Sequence, residues 1–160
     1  MNFDYESFQN ELKNIDNVFD RMLALLNRTA EFYNTNNRAT LSGKCYYGPS
    51  SNSPGCAIGR CMDRKNENCK PYLENKLSTA IIYFTYDKLA SVFHDWFRKM
   101  DLTVLIMIQH LHDLDIHWNE SGLSETGMEC FENIKSEINK RRMNSQTFAG
   151  NYFSSTEQLI

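Results

Sequence analysis

The chain has 160 residues, 41% of them hydrophobic and 12% aromatic, so it can close one hydrophobic core and is too short to divide comfortably into two. Its 17 basic and 20 acidic residues give a formal net charge of −3, which lacks the excess of Lys and Arg that binding to a phosphate backbone requires. We therefore expect no direct sequence-specific contact with nucleic acid.

Targeting signals and cysteine usage bear on the compartment. No apolar run approaches the ~20 residues that cross a bilayer, and Met1 to Asp20 alternates charged and apolar residues where a secretory signal needs an apolar stretch. We expect a cytoplasmic protein without membrane association. Five cysteines, an odd number beside a large core, favour reduced thiols over a disulfide framework.

The first half of the chain predicts one long helix followed by loops. From Ser7 to Tyr33 apolar residues recur at spacings of three and four, with no Pro or Gly between them. A short β-prone segment, Lys44 to Tyr47, precedes a polar loop from Gly48 to Gly55. The small apolar run Cys56 to Met62 predicts a buried turn of helix, and Asp63 to Lys76 is a polar connection.

The second half predicts three more helices. They are expected over Ala80 to Lys99, over Asp101 to Leu114 in the middle of the core, and over Ser124 to Arg142. For the start of the first of these helices, a strand at Thr79 to Thr85 is the alternative. The prediction is a mainly α fold, a single domain of four to five helices over residues 1–142. At most a short strand pair is expected near the Cys45 and Cys56 regions, and residues 143–160 are expected to form a polar C-terminal tail.

Two kinds of chemistry are open to the cysteines and histidines. Cys45, Cys56, Cys61 and Cys69 lack the two-residue spacing of a zinc knuckle, so a zinc-stabilised module is only an alternative, and no metal or cofactor is expected. Cys56 follows Pro54-Gly55 and could act as a nucleophile if the fold brought His112 and Asp113 to its sulfur. The opposing interpretation is a small buried thiol in a tight turn.

Arg60 is a single cation within an apolar turn, so it needs a compensating anion. Asp113 or Asp115 could supply a structural ion pair, or an anionic ligand could occupy the planar fork of the guanidinium. The same two alternatives apply to Arg38, just after the first helix. No P-loop, dinucleotide fingerprint, GxSxG or HExxH motif is present.

Several short strings together resemble a group of small uncharacterised proteins of phage and prophage genomes. They are Asn37-Arg38-Ala39, Cys45-Tyr46-Tyr47, the string Gly55-Cys56-Ala57-Ile58-Gly59-Arg60, the run Ile108 to Asp113, Trp118 and Gly122-Leu123-Ser124. The resemblance implies one neighbourhood that contains Arg38, Arg60, His112, Asp113 and Trp118. Together with Tyr47, these residues are the candidate ligand or partner contacts. In this neighbourhood, Cys45, Cys56 and Gly59 would be structural, with Cys45 and Cys56 approaching each other.

These observations lead to a functional expectation. We expect a non-catalytic binding protein of phage type that inhibits or sequesters a component of the host or of its anti-phage defence, with a protein or a small anionic ligand as its partner. A thiol-dependent enzyme using Cys56 with His112 and Asp113, or a zinc-stabilised module, is the alternative. Whether the chain is catalytic, and whether it forms a homo-oligomer, stay open at this point.

Overall fold

A computed structural model describes residues 3–38, 40–41, 44–49, 53–74 and 91–156. The chain is mainly helical, which confirms the predicted fold class. Its helices are α1 (Tyr5–Lys13), α2 (Val18–Phe32), α3 (Lys70–Glu74), α4 (Asp95–Arg98), α5 (Leu102–Asp113) and α6 (Glu125–Thr156). Two antiparallel strand pairs join β1 (Thr40–Leu41) to β2 (Lys44–Cys45) and β3 (Trp118–Asn119) to β4 (Gly122–Leu123).

The single helix predicted over Ser7 to Tyr33 is wrong, because the chain breaks between α1 and α2. The Asn17 side chain accepts hydrogen bonds from two N–H groups of the first turn of α2, at 2.9 and 3.2 Å, and so caps that helix. The buried Arg21 guanidinium donates to the carbonyls of Leu12, at 2.9 Å, and Ile15, at 2.5 Å. These bonds satisfy carbonyls at the end of α1 that a continuous helix would have bonded internally.

The helix predicted over Ala80 to Lys99 is also wrong for its described part. Between 91 and 99 only Asp95–Arg98 is helical, and Phe93 forms an isolated antiparallel bridge with Met62. A residue whose backbone bonds across to another segment cannot also extend a helix at that point. The alternative strand at Thr79 to Thr85 lies outside the described residues.

Helix α5 lies in the middle of the core, as predicted. The Asp101 side chain caps it by accepting from the N–H groups of Thr103, at 2.8 Å, and Val104, at 3.2 Å. Its buried residues include Val104, Leu105, Ile108 and Leu111. Helices α2, α5 and α6 pack against one another and form the main layer of the core.

The region before α6 departs from the prediction, which placed strands only near Cys45 and Cys56. The β3–β4 pair turns at Glu120 and Ser121, and β4 begins at Gly122, whose φ of +131° disfavours any residue with a Cβ. Ser124 caps α6 as expected, since its Oγ accepts from the Gly127 N–H at 3.0 Å. Helix α6 then continues past the predicted end at Arg142 to Thr156, because each further residue adds a hydrogen bond to a helix already formed.

Candidate functional site

The turn from Cys56 to Arg60 is buried along its whole length, as predicted. Gly59–Cys61 is a single 3₁₀ turn, and the Cys56 N–H donates to the Tyr46 carbonyl at 2.8 Å. A Cβ built on Gly59 would lie 2.2 Å from the carbonyl oxygen of Tyr47. Only glycine therefore allows this turn to sit against the Tyr47 backbone.

The cysteine thiols of this region are enclosed. Cys56 is fully buried, and its Sγ accepts from the Gly59 N–H at 3.2 Å. Burial raises the pKa of Cys61 to about 12 and that of Cys69 to about 11, which keeps both thiols protonated at neutral pH. The side chain of Cys45 lies outside the description, so its approach to Cys56 stays a prediction.

Tyr33 connects the turn to the end of α5. Its hydroxyl donates to the Gly55 carbonyl at 2.6 Å, and its ring packs edge-on against the rings of His112, at 4.5 Å between centroids, and Trp118, at 6.2 Å. The guanidinium carbon of Arg60 lies 4.7 Å from the centroid of the same Tyr33 ring. The predicted neighbours Arg60 and His112 thus contact one shared aromatic residue.

His112 is fully buried and bound to its neighbour in sequence. Its Nδ1 lies 2.9 Å from Oδ1 of Asp113, which also accepts from Nε2 of Gln109 at 2.5 Å. Burial lowers the pKa of His112 below its ordinary value, although the bond to Asp113 opposes that shift. The ring is therefore neutral at neutral pH, and because a carboxylate only accepts, Nδ1 carries the proton.

Arg38 holds the segment that follows α5. Its guanidinium is buried, donates to the His112 carbonyl at 2.6 Å, forms an ion pair with Asp115 and lies over the Trp118 ring. Asp115 is therefore the partner of Arg38, which confirms the structural ion pair for Arg38 and removes Asp115 as a partner of Arg60. None of the ion pairs among the described residues includes Arg60.

Further hydrogen bonds hold the 3₁₀ turn Asp115–His117 and the residues next to it. Nε1 of Trp118 donates to the Leu111 carbonyl at 2.7 Å. On the other side, Ser124 donates from Oγ to the Ile116 carbonyl at 2.6 Å and from N to the His117 carbonyl at 2.8 Å. The predicted residues Arg38, His112 and Trp118 thus form a buried support for this turn.

The turn and the start of α6 expose three large apolar side chains. Leu114 is 51% exposed, Ile116 65% and Met128 47%, and the three lie around the junction that Ser124 bonds together. We call Leu114, Ile116 and Met128 the docking surface. Among the side chains that the structure describes, Met143 is the other exposed large hydrophobic one, farther along α6.

The docking surface lies in an acidic part of the chain. Residues 113–134 contain six carboxylates and no Lys or Arg: Asp113, Asp115, Glu120, Glu125, Glu129 and Glu132. A groove of about 530 Å³ is lined by Met128, Glu129, Glu132 and Asn133. Sequence reasoning missed this surface, although the alternation Leu114-Asp115-Ile116 between a helix end and a tryptophan was a signal for it.

The Arg60 guanidinium is enclosed by aromatic rings. Its carbon lies 4.6 Å from the Phe8 centroid, 5.2 Å from that of Phe32 and 5.5 Å from that of Phe3, in addition to Tyr33. Each such contact contributes about 0.5–2 kcal/mol. The rings offset part of the cost of burying a cation, and Arg60 is 1% exposed.

Among the described side chains, no three His, Cys, Asp or Glu residues converge as a metal-binding group. None of the described helices has the length and apolar character of a membrane-spanning segment. The chain matches no family model, no curated protein and no solved structure.

Proposed function

We propose that this chain is a non-catalytic binding protein that inhibits or sequesters a protein of a host cell or of its anti-phage defence through the docking surface. The observation that carries the proposal is the exposure of Leu114, Ile116 and Met128, which belong to two segments that Ser124 bonds together. Apolar groups at the centre of an interface with polar groups at its rim are what protein–protein contacts require.

The hydrogen bonds that hold the turn of the docking surface favour a binding surface that is already formed before a partner binds. Arg38, Trp118 and Ser124 each bond to the backbone around the turn Asp115–His117. A turn held from several sides loses little conformational freedom when a partner binds, so less of the binding free energy is spent on ordering it.

The charge around the docking surface indicates the kind of partner. Residues 113–134 carry six carboxylates, and although Asp115 is paired with Arg38 and Glu132 with Lys135, the negative excess that remains attracts a basic protein face. A second copy of this chain fits less well, because it would present the same carboxylate-rich surface and no basic rim to this one. The partner is therefore a different protein with a basic rim around an apolar centre.

The resemblance to small phage and prophage proteins supports a host or defence component as this partner, met in the host cytoplasm. The alternative of a thiol enzyme gains no support from the fully buried Cys56.

Site-specific photocrosslinking tests the proposal. A photoreactive amino acid is placed at Ile116 or, as a matched control, at Met143, which is 68% exposed and lies away from the docking surface. Each protein is produced in bacterial cells, irradiated, and its adducts identified by mass spectrometry.

We expect one predominant adduct from position 116, with a protein whose contact face is basic, and no such adduct from position 143. Identical adducts from both positions, or none from position 116, would contradict the proposal.

A further inference from the structure

A pocket of about 280 Å³ opens between α1 and α2, on a different part of the protein from the docking surface. Its apolar walls are Phe3, Phe8 and Phe32, and Arg60 lies at its floor. The carbonyls of Arg60 and Met62 both accept from Nε2 of Gln9, at 2.8 and 2.9 Å, which fastens the floor to α1. The pocket is thus a formed feature of the α1–α2 junction.

Within the described part of the chain, no carboxylate forms an ion pair with the Arg60 guanidinium. Its Nε is buried without a hydrogen-bond partner there, and its Nη2 has only a long contact of 3.4 Å to the Thr29 hydroxyl. Aromatic faces attract a cation but accept none of its N–H groups in the way that a carboxylate does. The floor of the pocket therefore retains donors for an anionic group.

The rim limits which anions can enter. Asp4, Glu11 and Glu31 line it together with Arg28, so three carboxylates against one guanidinium leave two negative charges in excess. This excess repels phosphates and other multiply charged anions. Among anions, a ligand with one carboxylate and an apolar body meets the least electrostatic repulsion at the rim.

We infer that the pocket binds a small organic monocarboxylate with an aromatic or aliphatic body, whose carboxylate contacts Arg60 and whose body packs between Phe3, Phe8 and Phe32. Phe3 and Phe32 are both only partly buried, and Phe3 precedes α1, so a rotation of its ring would admit the ligand without a change in either helix. This inference does not depend on the function proposed for the docking surface.

Binding of carboxylates and their neutral amides to the full chain tests the inference. Isothermal titration or ligand-observed NMR would compare benzoate, phenylacetate, 3-phenylpropionate and hexanoate with the four corresponding amides. We expect at least one acid to bind saturably and at least tenfold more tightly than its amide, because only the acid offers an anion to Arg60.

Two variants locate the binding without disturbing the core. Ser7→Trp places a ring at the rim of the pocket, and Asn10→Trp places the same ring on an exposed position of α1 outside the pocket. We expect Ser7→Trp to weaken binding at least tenfold and Asn10→Trp to leave it unchanged. The inference is overturned if no acid binds saturably, if acid and amide bind equally, or if Ser7→Trp binds like the unmodified chain.

Discussion

Arg21 closes the break between α1 and α2 with a single side chain. Its guanidinium donates to the carbonyls of Leu12, Ile15 and Trp96, so removing it takes one donor from each of three carbonyls, although Leu12 keeps a bond from the Ile15 N–H. We expect Arg21→Met to lower the free energy of unfolding by about 2–4 kcal/mol, since bonds to a charged group are worth about 1.5–3 kcal/mol each and do not add fully.

Arg28 on the same helix is the matched control for Arg21. It pairs with Glu11 and Glu31 at the surface, where ion pairs contribute about 0–1 kcal/mol. Urea denaturation of Arg21→Met and Arg28→Met measures the free energy of unfolding that each variant loses. Equal losses would mean that the Arg21 bonds contribute no more than surface ion pairs.

His112 makes stability depend on pH. Its pKa in the folded protein is lowered by burial below the ordinary 6.5, so below about pH 6.5 the unfolded chain takes up a proton that the native chain refuses. The free energy of unfolding therefore falls as pH drops through this value. His112→Gln should show a smaller loss of stability between pH 7.5 and pH 5.5 than the unmodified chain.

The exposed His110 provides the comparison for His112. His110→Gln makes the same substitution at an exposed position of α5 and therefore controls for the substitution itself. Denaturation at several pH values gives the free energy of unfolding as a function of pH. If this free energy depends on pH as steeply in His112→Gln as in the unmodified chain, His112 is not the source of the dependence.

At the scale of elements, Asp101 caps α5 and also forms an ion pair with Arg141 of α6. Asp101→Asn keeps an acceptor for the cap and loses the charge, whereas Asp101→Ala loses both. We expect a loss of about 1–2 kcal/mol for the alanine variant and less than about 1 kcal/mol for the asparagine variant. Chemical denaturation that gives equal losses would assign the stabilisation to the ion pair alone.

The elements also show what the sequence can predict. The caps Asp101 and Ser124 are local, and both helices that they start were predicted at those positions. The α1–α2 break was not, because Leu12, Ile15 and Val18 continue the helical spacing straight through it. The break depends on bonds from Arg21, including one to the distant Trp96, which no local pattern contains.

The candidate site shows the same limit. Adjacent residues such as His112 and Asp113 were paired correctly, and glycine at position 59 was expected to be structural. The sequence left open whether Arg38 or Arg60 has a carboxylate partner, because Arg38 reaches Asp115 from far away in the sequence. Exposure of Ile116 likewise depends on how α6 packs against the turn, which periodicity does not describe.

At the scale of the whole molecule, the chain offers two separate surfaces of different chemistry. The docking surface is apolar with carboxylates around it, and the pocket above Arg60 is aromatic with a cation at its floor. The buried side chains of Arg38, Tyr33, His112 and Trp118 lie between the turn of Gly59–Cys61 and the turn of Asp115–His117. The central claim of the account is that the docking surface binds a basic protein.

The most direct test of this claim is the affinity of the crosslinked partner, once purified, for three variants by isothermal titration. We predict that Ile116→Asp and Met128→Asp each weaken binding by at least tenfold, about 1.4 kcal/mol, since each places a charge in the apolar centre of the contact. Met143→Asp, the same change at an exposed methionine outside the docking surface, should bind like the unmodified chain. Undiminished affinity of the Ile116 and Met128 variants, or an equal loss for the Met143 variant, would contradict the account.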